Sequence, residues 1–156
     1  IRWDWIDREK GLITIPGDCP GLERRRGRSD HISHLVPITP QIQMILDQME
    51  EFHGRGVYVF PPLQHSRFDY LDPSAPNDFL KRIGYDGILV AHGWRRVART
   101  YGVDVLKARE VVIERQMGHL PEGACGKAYD GAQYLDERRD FLQNWNDLLV
   151  ETGLKI

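Results

Sequence analysis

The sequence predicts an α+β domain that is mainly α, with a small antiparallel sheet near its N-terminus. Short runs that mix β-branched and aromatic residues between turn signals occur three times within the first 38 residues. From Gly93 onward apolar residues recur at helical spacing instead. A chain of 156 residues is also the right size for one core, hiding roughly two thirds of its unfolded surface.

Residues 2–6, 12–16 and 34–38 read as the three strands, with Asp7-Arg8-Glu9-Lys10-Gly11 as the first turn. Residues 17–33 form a long polar excursion rich in Gly and Arg. Thr39-Pro40 reads as a helix cap with proline in the first turn. Ile42, Ile45, Leu46 and Met49 then carry a helix to Gly54. Val57-Tyr58-Val59-Phe60 is a short apolar segment, and residues 61–77 are a proline-rich loop. A short helix is expected from Asn77 or Asp78 to Ile83.

Trp94, Val97 and Ala98 give the next helix an apolar stripe, with Gly102 ending it. A further helix is expected from Val105 to Gln116, stopped by Gly118. Residues 128–150 place Phe141, Leu142, Trp145, Leu148 and Leu149 on one generous apolar face. No repeat, linker or low-complexity segment interrupts this pattern.

No apolar run approaches the roughly 18 residues that a membrane span needs, and no signal peptide is visible. Cys19 and Cys125 lack metal-ligand spacing and read as thiols in a reducing compartment. The net charge of −2 argues mildly against nucleic acid as a partner. Arg24-Arg25-Arg26-Gly27-Arg28 is nonetheless a dense basic patch, and local charge matters more than the total.

The chemistry-bearing feature is an ordered series: His92-Gly93-Trp94-Arg95, then Gly118-His119, then Ala128-Tyr129. Arginine can hold the non-bridging oxygens of a phosphodiester as charge develops on them. Histidines donate hydrogen bonds or move protons near neutral pH. A tyrosine hydroxyl can attack phosphorus and remain attached. Each residue also has a plain structural role available. His92 can serve a helix N-terminus, and Arg95 can lie on a solvated face with Arg96 and Arg99. His119 can cap a helix end, and Tyr129 and Tyr134 can both pack their rings. On a helix Arg95 and Arg99 share a face, whereas Arg96 is turned away by about 100°.

With these motifs in place, nearly the whole chain resembles the catalytic domain of the tyrosine recombinases, specifically phage and genomic-island integrases of the P4-like group. His92-x-x-Arg95 resembles the second catalytic box and Gly118-His119 the third, 24 residues after Arg95. Ala128-Tyr129-Asp130, ten residues further at Tyr129, resembles the nucleophile motif, and Glu137-Arg138-Arg139 with Trp145-Asn146-Asp147-Leu148-Leu149 resembles its tail. Arg2-Trp3-Asp4-Trp5-Ile6-Asp7 is similar to the strand after the family's first catalytic arginine. That arginine and a DNA-clamping domain would then precede residue 1.

The resemblance implies Tyr129 as nucleophile, Arg95, His92 and His119 as its catalytic partners, and no cofactor. It implies double-stranded DNA as partner, held in part by Arg24, Arg25, Arg26, Arg28 and Arg96. It also implies a homotetramer on paired sites, an isolated chain that is impaired and free to be monomeric, and a cytoplasmic protein, bacterial or phage-encoded.

One departure stands out. The family's lysine belongs near Ser29, yet the lysines are Lys10, Lys81, Lys107, Lys127 and Lys155. Arg26 and Arg28 are the cations closest to that position, and guanidinium is a poor proton donor. Either Arg28 acts electrostatically, or the register is shifted, or the protein is degenerate. His31 and His34, three apart, would point to opposite faces of one strand, so no metal site is expected. Three other readings stay open: a DNA-binding remnant without cleavage, a type IB topoisomerase-like strand transferase, and a helical domain unrelated to nucleic acid.

Overall fold

The computed structural model describes residues 1–19, 33–63, 67–119 and 133–156. Arg24, Arg25, Arg26, Arg28, His31, Cys125, Lys127 and Tyr129 fall outside these residues.

The expected sheet is present, with one correction. Residues 3–5 turn as a 3₁₀ helix, Trp3–Trp5, and only Ile6–Asp7 extends as strand β1. Arg2 instead forms an isolated antiparallel bridge with Tyr58. Strands β2 (Leu12–Ile15) and β3 (His34–Pro37) follow, all antiparallel in the order β1-β2-β3. The register pairs Ile6 with Ile13, Ile13 with Val36, and Ile15 with His34. Asp7 shapes the first turn by accepting from the Lys10 backbone N–H at 2.9 Å and from Lys10 Nζ at 2.8 Å. Gly11 completes it at φ +62°, in the left-handed region that glycine enters without steric cost.

Helix α1 (Pro40–His53) starts as the sequence reads. The Thr39 hydroxyl accepts from the Ile42 N–H at 3.4 Å, proline fills the first helical position, and Gly54 ends the helix at φ +67°. Helix α2 (Ala75–Leu80) begins two to three residues earlier than expected and runs into a π-helical turn, Lys81–Tyr85.

Helix α3 (Gly93–Asp104) does not stop at Gly102. That glycine is buried, and a Cβ there would lie 2.8 Å from both Ile113 Cδ1 and Phe141 Cε2. Its role is close packing rather than termination. Helix α4 is shorter than expected, Glu110–Gln116. Lys107 at φ +54° and an extended Arg109 break the chain before it. Gly118 at φ +74° supplies the expected stop. The last helix, α5 (Leu135–Glu151), follows Tyr134 in the left-handed conformation.

Val112, Ile113 and Phe141 form the buried centre of the helical part, wrapped by Leu106, Ala108, Val111, Met117 and Tyr134. Burying each of the three stabilises the fold by about 1.5–3 kcal/mol relative to exposure. This core clamps α3, α4 and α5 together, and so fixes every residue carried on the facing ends of α3 and α4.

Arg138 ties α5 to the sheet. It is fully buried, donating through Nη2 to the Leu35 carbonyl and through Nε to Gln116 Oε1 at 2.8 Å. Nη1 reaches the Gln133 carbonyl at 3.3 Å. Burial, with the nearby charge of Arg115, lowers its pKa to about 10. No helix of the described residues is long and apolar enough to cross a membrane.

Candidate active site

The His92-x-x-Arg95 motif lies at the first turn of α3. His92 is the residue just before the helix, already in helical conformation, and the Arg95 N–H donates to its carbonyl at 3.1 Å. Residues three apart on a helix share a face, so His92 and Arg95 project from the same side. Both are exposed, and the His92 side chain makes no capping hydrogen bond.

The Gly118-His119 motif follows the end of α4, and Arg95 reaches the residue just before it. Its Nη2 donates to the Met117 carbonyl at 2.5 Å. Met117 packs against the buried core, so this acceptor is anchored. Gly118 and His119 follow immediately. A guanidinium carries five N–H donors, so the bond to Met117 leaves most of the fork for another acceptor.

One turn further along α3, Arg99 points at the same helix. Its Nε donates to Glu114 Oε1 at 2.6 Å, and Nη2 also meets Glu110. The second oxygen of Glu114 meets His119 Nδ1 at 2.5 Å. The His119 backbone N–H donates to the Glu114 carbonyl at 2.9 Å. Partial burial raises the Glu114 pKa. The bonds from His119 and Arg99 outweigh that effect and hold the carboxyl below its ordinary range. The same carboxylates push the Arg99 pKa upward.

The strand side contributes His34. A Cβ at Gly118 would lie 3.8 Å from His34 Cε1, so the β3 imidazole sits against the turn that carries His119.

The structure therefore brings Arg95 to the segment of His119, and places His92 on the same face of α3 as Arg95. Arg96 is exposed on the adjacent side of α3, as helical geometry requires. Tyr129 and the cluster Arg24, Arg25, Arg26 and Arg28 lie outside the described residues. Tyr134, the rival tyrosine, packs on the core with Arg109 over its ring at 5.5 Å. Sequence reasoning missed Glu114 and His34. Their only sequence signals were a carboxylate five residues before His119 and a histidine opening the third strand. Among the described residues no group of three or more His, Cys, Asp or Glu is arranged to hold a metal ion.

The fold and this site define an α+β, mainly α domain in which an arginine and two histidines stand at the facing ends of two helices. Known proteins share the chain almost end to end. Prophage integrase IntZ of Escherichia coli (strain K12) is 33% identical over 150 residues, 95% of this chain and 34% of that protein. The integrase of Enterobacteria phage P4 is 31% identical over 156 residues, covering 95% and 35% respectively. The integrase of Shigella phage Sf6 is 30% identical over 158 residues, 97% of this chain and 37% of that protein. Over nearly its whole length the chain is similar to these phage and prophage integrases, and it spans about a third of theirs. No family model and no solved structure matches it.

Proposed function

We propose that residues 1–156 are the C-terminal catalytic domain of a tyrosine recombinase, which integrates or excises a phage or genomic island. The observation that carries this reading is the bond from Arg95 to the Met117 carbonyl, two residues before His119. It joins the second and third motifs, which are far apart in sequence, at one place on the surface.

In the proposed mechanism duplex DNA docks through phosphate contacts, with Arg24, Arg25, Arg26, Arg28 and Arg96 among the cations. Arg95 holds the non-bridging oxygens of the scissile phosphate, with a second arginine that the family resemblance puts upstream. His119 donates to a non-bridging oxygen. His92 supports the phosphate and helps to take the hydroxyl proton of Tyr129. Tyr129 Oη attacks phosphorus as the bond to the 5′ oxygen breaks and that oxygen takes up a proton. A 3′-phosphotyrosyl bond and a free 5′ hydroxyl result. A 5′ hydroxyl from a partner strand reverses the step, so no nucleotide energy and no cofactor is needed. Four protomers act together on paired sites, within the bacterial cytoplasm.

The core packing of Tyr134 supports assigning the nucleophile to Tyr129. A suicide substrate incubated with the full-length protein tests the proposal. A covalent adduct that survives denaturation and disappears in Tyr129→Phe supports it. Binding without any adduct favours the second reading, a DNA-binding remnant that has lost cleavage. That reading draws on the absence of lysine from residues 17–33.

A further inference from the structure

Glu114 is the one carboxylate in contact with His119 among the described residues. Its two oxygens are divided: Oε1 takes Arg99 Nε at 2.6 Å, and Oε2 takes His119 Nδ1 at 2.5 Å. Arg99 thus orients the carboxylate, and the carboxylate orients the ring. Both partners are anchored by backbone geometry. Arg99 lies one turn beyond Arg95 on α3, and the His119 N–H is bonded to the Glu114 carbonyl.

An ionised carboxylate only accepts hydrogen bonds, so the His119 proton facing it must sit on Nδ1. The Nε2 atom has no partner among the described residues. Free histidine favours the opposite tautomer, with its proton on Nε2, so a persistent Nδ1–H is a mark of the carboxylate.

We infer that Glu114 is a positioning residue for His119, committing Nδ1–H and leaving Nε2 as the atom presented to the scissile phosphate. The inference rests on the proposed function only for the identity of that anion. The ring donates to a phosphate oxygen only when Nε2 is protonated as well, and it then donates to phosphate and carboxylate at once. Among the described residues, the charged and titratable groups about this dyad are Glu114 and Glu110 from α4, Arg95 and Arg99 from α3, and His34 from β3. The arginines and Glu110 flank the dyad, and among the described residues Glu114 alone bonds to the ring.

Nitrogen-15 NMR of the histidine-labelled chain tests this, with the His119 signal assigned by its loss in His119→Gln and the sample titrated until the ring is neutral. The wild type is expected to carry its proton on Nδ1. Glu114→Ala, which suits a helix and leaves the ring without an acceptor, should move the proton to Nε2. Glu114→Gln, whose amide oxygen can still accept, should return it to Nδ1. In the full-length protein Glu114→Ala should slow adduct formation by roughly tenfold to a hundredfold, with DNA affinity little changed and Glu114→Gln recovering most of the rate. A wild-type ring protonated on Nε2 overturns the inference, as does a tautomer unmoved in folded Glu114→Ala. The tautomer is read without DNA, so loss of the recombinase reading would leave this result standing.

Discussion

The guanidinium of Arg95 donates to the backbone carbonyl of Met117 at 2.5 Å, joining the start of α3 to the end of α4. The acceptor belongs to a residue packed on the core, so the arginine is aimed by the fold rather than by a neighbouring carboxylate. Among the described residues no carboxylate pairs with Arg95, so its positive charge remains available to an anion.

Arg95→Ala should therefore reduce covalent adduct formation by about 10²–10³-fold, the usual cost of losing one donor to a developing oxyanion. Arg95→Lys should recover only part of the loss, because ammonium cannot reproduce the planar fork. Rates from a denaturing gel, set beside DNA affinity from fluorescence anisotropy, would check both variants. A rate loss matched by an equal loss of affinity would mean that Arg95 only binds DNA.

Gly102→Ala should destabilise the domain by about 1–3 kcal/mol, since overpacking a filled core costs that much. The added methyl would meet Ile113 and Phe141 at 2.8 Å, and the neighbouring helices would have to separate. Urea denaturation followed by circular dichroism measures the change. Unaltered stability would mean that the α3–α4–α5 junction is looser than described.

Arg138→Ala should cost about 2–5 kcal/mol, combining a cavity with carbonyl groups left without their donor. Its guanidinium is fully buried and holds Leu35, Gln116 and Gln133 at once. Because its pKa falls to about 10, burying the charge opposes folding at neutral pH. The depressed value means that the unfolded chain holds this proton to higher pH than the folded one. The Arg138 contribution to stability should thus rise with pH from about 10 upward. Denaturation of Arg138→Met at pH 7 and at high pH, against the wild type, reads that sign.

Glu114 gives a test at the other end of the pH scale. Its folded pKa lies below the ordinary value, so its stabilisation is complete above that value and fades as pH falls through the folded one. The difference in Tm between wild type and Glu114→Gln should be present at neutral pH and shrink toward zero in strong acid. A difference that persists in acid would locate the effect in packing rather than charge.

Much of the fold is legible where local chemistry and tertiary packing agree. Thr39-Pro40 announces α1, Gly11 the first hairpin, and Gly118 the stop after α4. The errors come from residues whose role is set by distant neighbours. Gly102 looks like a helix terminator, but Ile113 and Phe141 require its missing side chain. The stretch before α4 has helical composition, yet Lys107 and Arg109 leave helical geometry so that Leu106 and Ala108 can cap the core. Trp3 and Trp5 suit a strand by composition and instead occupy a tight turn.

The site divides the same way. The proximity of Arg95 to the third motif is what the spacing and the resemblance imply. Glu114 and His34 join it through contacts between elements, which no periodicity encodes.

The most direct measurement of the central claim is mass-spectrometric mapping of the protein–DNA adduct. One peptide is expected, modified at Tyr129 through a 3′ phosphate, with a released strand ending in a 5′ hydroxyl. Attachment at Tyr134 or any other residue, or through a 5′ phosphate, would contradict it.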